Sequence, residues 1–188
     1  TSDVATSARA LAFLGRARSA GFTVSDEVFD KLVSWITERL RLSEQPADRA
    51  RMVYALSEAK SADFELVNRL QRSKAELTDV ALAYLALADI RMNRRDLAVE
   101  IVELLQKRAK TEKGIMPWGG ADDGAEATGL IVSVQSQLDP LHPTLALAVD
   151  RLRSARRVWL GYRGEAAAIR GLAAFSLHSK IDTSEFTL

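Results

Sequence analysis

The chain has 188 residues, 47% hydrophobic and 27% charged, enough to bury the core of one domain or two. Lys and Arg number 26 against 25 Asp and Glu, so there is no basic excess to build a broad nucleic-acid face. There is no Cys, which excludes disulfides, thiolate metal sites, Cys nucleophiles and Cys-derived thioesters, and no apolar run is long enough to span a bilayer.

In chain order, Ser2 or Asp3 caps a first helix reaching about Ala20, with Val4, Ala8, Leu11, Ala12 and Leu14 on its buried side. Gly21 ends it, because Gly fits the left-handed position after a helix. Ser25 caps a second, more polar helix with a stripe from Val28 to Leu40 and a wet face of Glu27, Lys31, Glu38 and Arg39. Pro46 breaks the chain, and a third helix is expected from about Ala47 to Ala59, then a short fourth from Phe64 to Gln71. Ser73 is expected to cap the fifth, from about Ala75 to Met92, which is uncharged from Val80 to Ala88 and closes at Asn93. The sixth opens at Arg94 or Arg95 and is amphipathic, with Leu97, Ile101, Val102 and Leu105 inward.

Residues 110–123 read as a Gly-rich loop holding Pro117-Trp118-Gly119-Gly120. A seventh helix follows, apolar or small on almost every side through Glu126, Ala127, Thr128, Gly129 and Leu130 to Val134. After the Asp139–Pro143 turn comes an eighth helix, about Thr144–Ala155, and the loop Val158-Trp159-Leu160-Gly161-Tyr162-Arg163-Gly164. A ninth runs from about Glu165 to Leu177.

An acidic residue opens an Ala-rich helix at Asp3, Asp48, Asp79 and Glu126, with a small residue and Leu or Val seven and eight positions on: Ala10-Leu11, Ala55-Leu56, Ala86-Leu87 and Ser133-Val134. A fifth copy starts at Glu165, with Gly171-Leu172 one position early; the starts lie 31–47 residues apart, the mark of repeated helical hairpins. The odd-numbered helices are apolar and small, the even-numbered ones amphipathic. Inner and outer layers follow, giving an all-α fold: an α/α-toroid-like array or, alternatively, an open α-solenoid. One all-helical domain over 1–188, excised from a longer multidomain protein, is the expectation.

Few residues carry chemistry. His142 and His178 have no second ligand at metal spacing, and no metal or cofactor is expected. Asp122, Asp123 and Glu126 have oxygen ligands suited to a hard cation, but acids at a helix N-terminus more often cap it and complement its dipole. Trp118 and Trp159 occupy equivalent loops, where a Trp either plugs a helix end, its indole N–H on a loop carbonyl, or stacks on a ligand. Glu126 and Glu165, each near a loop Trp, are the one pair from which an α/α-barrel carbohydrate-active enzyme would be built.

The succession Pro117-Trp118-Gly119-Gly120, Glu126-Ala127-Thr128-Gly129, Arg151-Leu152-Arg153 to Arg156-Arg157, Trp159 and Ala166-Ala167-Ala168-Ile169-Arg170-Gly171-Leu172, with the Ala81–Ala88 helix in mid-chain, resembles the thioester-domain region of the alpha-macroglobulin and complement superfamily, especially its bacterial members. The resemblance implies an α/α-toroid and a non-catalytic interaction and scaffold role in a protease-trapping protein (an endopeptidase inhibitor). It also implies an extracellular or periplasmic setting, with the neighbouring domains of the parent chain and a protease as partners; the balanced charge and the lack of a long apolar run argue against nucleic acid and membrane insertion. The family's Cys-Gly-Glu-Gln signature is missing: Leu42-Ser43-Glu44-Gln45 has no thiol. The other readings are the carbohydrate-active enzyme, with Glu126 and Glu165 as its carboxylates, and an α-solenoid adaptor.

Overall fold

The computed structural model describes residues 3–112, 115–154 and 161–179. These residues form nine α-helices and no strand: α1 (Val4–Ser19), α2 (Asp26–Leu42), α3 (Pro46–Glu58), α4 (Phe64–Arg72), α5 (Asp79–Arg91), α6 (Arg95–Arg108), α7 (Gly124–Leu138), α8 (Pro143–Ser154) and α9 (Gly161–His178). The chain divides into two compact units, Thr1–Ile101 and Val102–Leu188.

In the first unit α1 packs on α3 and α3 on α5, while α2 lies against α1 and α3 and α4 against α3 and α5. In the second, α7 packs on α9 and α8 covers both. Within each unit this is the expected alternation: odd-numbered helices pack on one another, and α2, α4 and α8 lie against them from outside. Its origin is composition. From Ala50 to Glu58 in α3, from Val80 to Asp89 in α5 and from Gly124 to Ser136 in α7, every residue is buried. The outer α2 buries Phe29, Ile36 and Leu40 and exposes the rest of its surface to varying degrees. The terminal inner helices are more one-sided than expected. α1 buries Ala5, Ala8, Leu11, Ala12 and Gly15 but exposes Ala10. It has an inner neighbour on one side, whereas α3 has one on each.

The inner helices of the first unit end alike. The residue after the C-cap is left-handed in each: Gly21 (φ +86°), Lys60 (φ +57°) and Asn93 (φ +60°). Two backbone bonds close each end in the Schellman pattern. Phe22 N donates to Ala17 O and Gly21 N to Arg18 O, both at 3.0 Å. Ser61 N to Leu56 O (2.9 Å) and Lys60 N to Ser57 O (3.1 Å) repeat the arrangement, as do Arg94 N to Asp89 O (2.8 Å) and Asn93 N to Ile90 O (3.2 Å). The repeat seen in sequence therefore has a counterpart in how the backbone stops.

Two expectations need correction. Ser73 does not cap α5: it is the C-cap of α4, its Oγ donating to Leu70 O, and a 3₁₀ turn at Lys74–Glu76 follows. Thr78 caps α5, its Oγ1 accepting from Ala81 N at 3.3 Å. The expected loop before Glu165 is also helical from Gly161 on, so Glu165 does not open α9. Gly164 lies on the buried face of the helix rather than in a turn. Gly164, Ala167, Ala168 and Gly171 form the buried stripe of α9, one face at helical spacing. A Cβ on Gly171 would strike the Gly129 carbonyl, and one on Gly129 the Ala167 carbonyl, so α7 and α9 cross backbone to backbone.

Candidate functional site

The loop before α7 is built around Trp118, which is fully buried. Its indole Nε1 donates to Leu105 O at 2.8 Å. That acceptor lies in the last turn of α6, where helix carbonyls lose their partners, and the next amide, Ala109 N, turns instead to Gln106 O at 3.2 Å. Trp118 thus supplies a hydrogen bond the helix end lacks, to a helix carbonyl rather than a loop one. Lys110 fastens the same loop twice, through its N to Pro117 O (2.8 Å) and its Nζ to Gly119 O (2.6 Å). Asp123 sits at the N-cap of α7 but makes no side-chain capping bond there; its Oδ1 accepts from Gly120 N at 2.6 Å and closes the turn.

Glu126, in the first turn of α7, is buried, where a carboxylate is favoured by the helix dipole. With Asp122, Asp123 and the Gly161–Gly164 turn of α9 it lines a cleft of about 330 Å³. Glu165 is exposed and does not line that cleft. A glycosidase needs two carboxylates across one cleft, and the structure brings only Glu126 of the expected pair to it. Trp159 and Arg156-Arg157 lie outside the described residues. His142 serves the start of α8: its Nδ1 accepts from Thr144 N (3.3 Å) and stands 2.8 Å from Thr144 Oγ1. Among the described residues no three His, Asp or Glu side chains gather as a metal site, and no helix is long and apolar enough to cross a membrane.

Two polar networks in the first unit were not foreseen from sequence. In one, the buried Glu58 accepts from Tyr54 OH and pairs with Arg91 Nε at 3.1 Å and Arg16 Nη1 at 3.9 Å, while Arg16 Nη1 donates to Tyr54 OH at 3.1 Å. Gly15 makes this possible: a Cβ there would lie 2.5 Å from Glu58 O, so only Gly lets α1 sit this close to α3. In the other, the fully buried Asp89 accepts from Gln71 Nε2 and lies 3.6 Å from Arg94 Nε, and Arg94 Nη2 donates to Asn68 Oδ1 at 2.6 Å. Burial pushes the Asp89 carboxyl up from 3.8 to about 6, against the opposing pull of Arg94 and the Gln71 bond. The one sequence hint of either was a charge inside an otherwise Ala-rich helix.

No family model matches the sequence, and no curated protein matches it. The class that the hairpin packing defines is an all-helical array consistent with an α/α-toroid. A solved structure makes this specific: Salmonella alpha-2-macroglobulin, reacted with methylamine, matches the fold with a TM-score of 0.69 over 93% of this chain at 18% identity. The chain spans only 12% of that protein's length. At the level of the fold, the resemblance drawn from the Trp-Gly loop and the Ala-rich helices is borne out.

Proposed function

We propose that this chain is an interaction and scaffold region of an alpha-macroglobulin-like, protease-trapping protein, and that it performs no covalent chemistry itself. The observation that carries this reading is the fold match over 93% of the chain. The sequence has no Cys, so the chain offers no thiol for a thioester. Its construction also suits a rigid spacer. α7 and α9 meet through backbone rather than adaptable side chains, and the Trp118 loop is fastened at three points. The partners in this reading are the neighbouring domains of a longer parent chain and an endopeptidase, in an extracellular or periplasmic setting. No cofactor is called for.

The test uses the parent polypeptide that contains this chain. After incubation with an endopeptidase, a trap leaves cleavage of a small peptide substrate intact while cleavage of a large protein substrate falls. Equal loss or equal retention of both activities would overturn the reading. A glycan panel addresses the alternative enzyme: turnover that Glu126→Gln abolishes would replace the scaffold assignment.

A further inference from the structure

Where α1, α3 and α5 end, the first unit has an open cavity of about 430 Å³ lined by Arg16, Ser57, Glu58, Lys60 and Arg91, with Ser19 and Ala20 at its edge. We infer that this cavity binds a small organic polyanion, a molecule with two or more carboxylate or phosphate groups, held by Arg16, Arg91 and Lys60. The inference is independent of the proposed function.

The charges come first. Three cations face one carboxylate, so the lining carries a net charge of about +2. Glu58 orients the arginines. It lies 3.9 Å from Nη1 of Arg16 and 3.1 Å from Nε of Arg91. A guanidinium has five donors in a fixed fork, so both keep donors for a second, external oxyanion. Both side chains are also partly open to solvent, 40% for Arg16 and 44% for Arg91. A cavity of this size falls in the range of small-molecule sites. Three separate cationic heads match a ligand with several anionic groups better than a single monovalent ion.

The alternative is that these cations only complement the helix ends. Helix C-termini carry partial negative charge and favour Lys and Arg. That accounts for a positive charge at all three positions, but not for the choice of Lys at position 60. Lys60 occupies the left-handed position after α3, and at the matching positions after α1 and α5 the chain has Gly21 and Asn93, the residue types that adopt this conformation most readily. A Lys there is costlier than Gly, and its ammonium makes no ion pair among the described residues. Local strain kept at a cavity wall points to a role in that cavity.

The experiment is calorimetric titration of the intact chain at matched ionic strength, with citrate in one arm and pyrophosphate in the other against a chloride background. Saturable binding of at least one, with a dissociation constant of about 1 mM or tighter, is expected. Binding in the citrate arm alone identifies carboxylates as the recognised groups, in the pyrophosphate arm alone phosphates, and in both arms oxyanions generally. The decisive variant is Lys60→Gly. It places the preferred residue in the left-handed position, so its melting temperature should equal or exceed that of the wild type. Binding should nonetheless weaken roughly tenfold, as for one lost charge-assisted hydrogen bond. No saturation in either arm up to about 10 mM, or unchanged affinity in the Lys60→Gly protein, overturns the inference.

Discussion

Asp89→Asn should stabilise the protein at neutral pH, and the gain should vanish in acid. Asp89 is fully buried three residues from the C-cap of α5, an end that disfavours negative charge, and its carboxyl is raised to about 6 chiefly by that burial. Its hydrogen bonding agrees. Asp89 Oδ1 and Gln71 Oε1 are both buried without a hydrogen-bond partner. A proton on Asp89 would supply a donor to this pair; Arg94 Nη1, also buried without a partner, is the competing one. Arg94 opposes this, and Lys74 and Glu100, which pair with each other nearby, act with opposite signs. The sign follows from linkage. Below the unfolded value near 3.8 both states are protonated, and the group has no effect. Between about 4 and 6 the unfolded chain gives up its proton while the folded chain keeps it, so stability falls as pH rises through that window. Above about 6 the folded protein carries the full penalty, roughly 3 kcal/mol at about 1.4 kcal/mol per pH unit. Asn keeps the shape of the neutral acid but forgoes the Arg94 attraction, so a gain of about 1–3 kcal/mol is expected at pH 7.5. Urea unfolding of both proteins by circular dichroism from about pH 4 to 7.5 measures the gap. A gap that stays constant with pH, or an Asn variant weaker at pH 7.5, would refute the reasoning and mean that Arg94 holds Asp89 ionised.

Trp118→Ala should cost about 3–5 kcal/mol in urea unfolding, because it empties a fully buried site and unpairs the Leu105 carbonyl. Trp118→Phe, which keeps most of the ring but not the N–H, should cost distinctly less; equal midpoints for both variants would show that the indole hydrogen bond and ring volume contribute nothing separable. Gly129→Ala should destabilise by at least about 1–3 kcal/mol, since its Cβ meets the backbone of Ala167, which cannot rotate aside. A thermal midpoint at or above that of the wild type would show that α7 and α9 are not in this contact. Thr78→Ala should lower stability by about 1 kcal/mol through loss of the α5 cap, while Ser73→Ala should stay within about 0.5 kcal/mol; the reverse order in urea midpoints would restore Ser73 as the cap.

What could be read from sequence was whatever is encoded within a few neighbouring residues. The uncharged run from Val80 to Ala88 announces a buried helix, and Gly21 and Asn93 announce left-handed helix ends. Lys60 adopts the same conformation without any such preference, because the Schellman bonds of Ser61 and Lys60 impose it. Gly164 misled for the opposite reason: the property that suits Gly to turns, the missing side chain, also suits it to the buried face of a helix. Trp118 could be expected to bury its ring, but its acceptor in the last turn of α6 depends on how the loop folds back. The Arg16, Glu58 and Arg91 cluster joins three helices whose sequences contain no mutual signal, and only packing brings them together.

The close approach of Gly171 to Gly129, and of Gly129 to Ala167, also fixes the register of α9 on α7. If α9 slid by one turn in one direction, Phe175 would stand where Gly171 now meets the Gly129 carbonyl, and no ring fits there. In the other direction Ala167 would take that place, and even its methyl group would collide. Many helix pairs can trade one ridge-and-groove setting for a neighbouring one at modest cost. This pair has a keyed seat, so any motion involving the second unit must carry α7 and α9 together or separate them altogether.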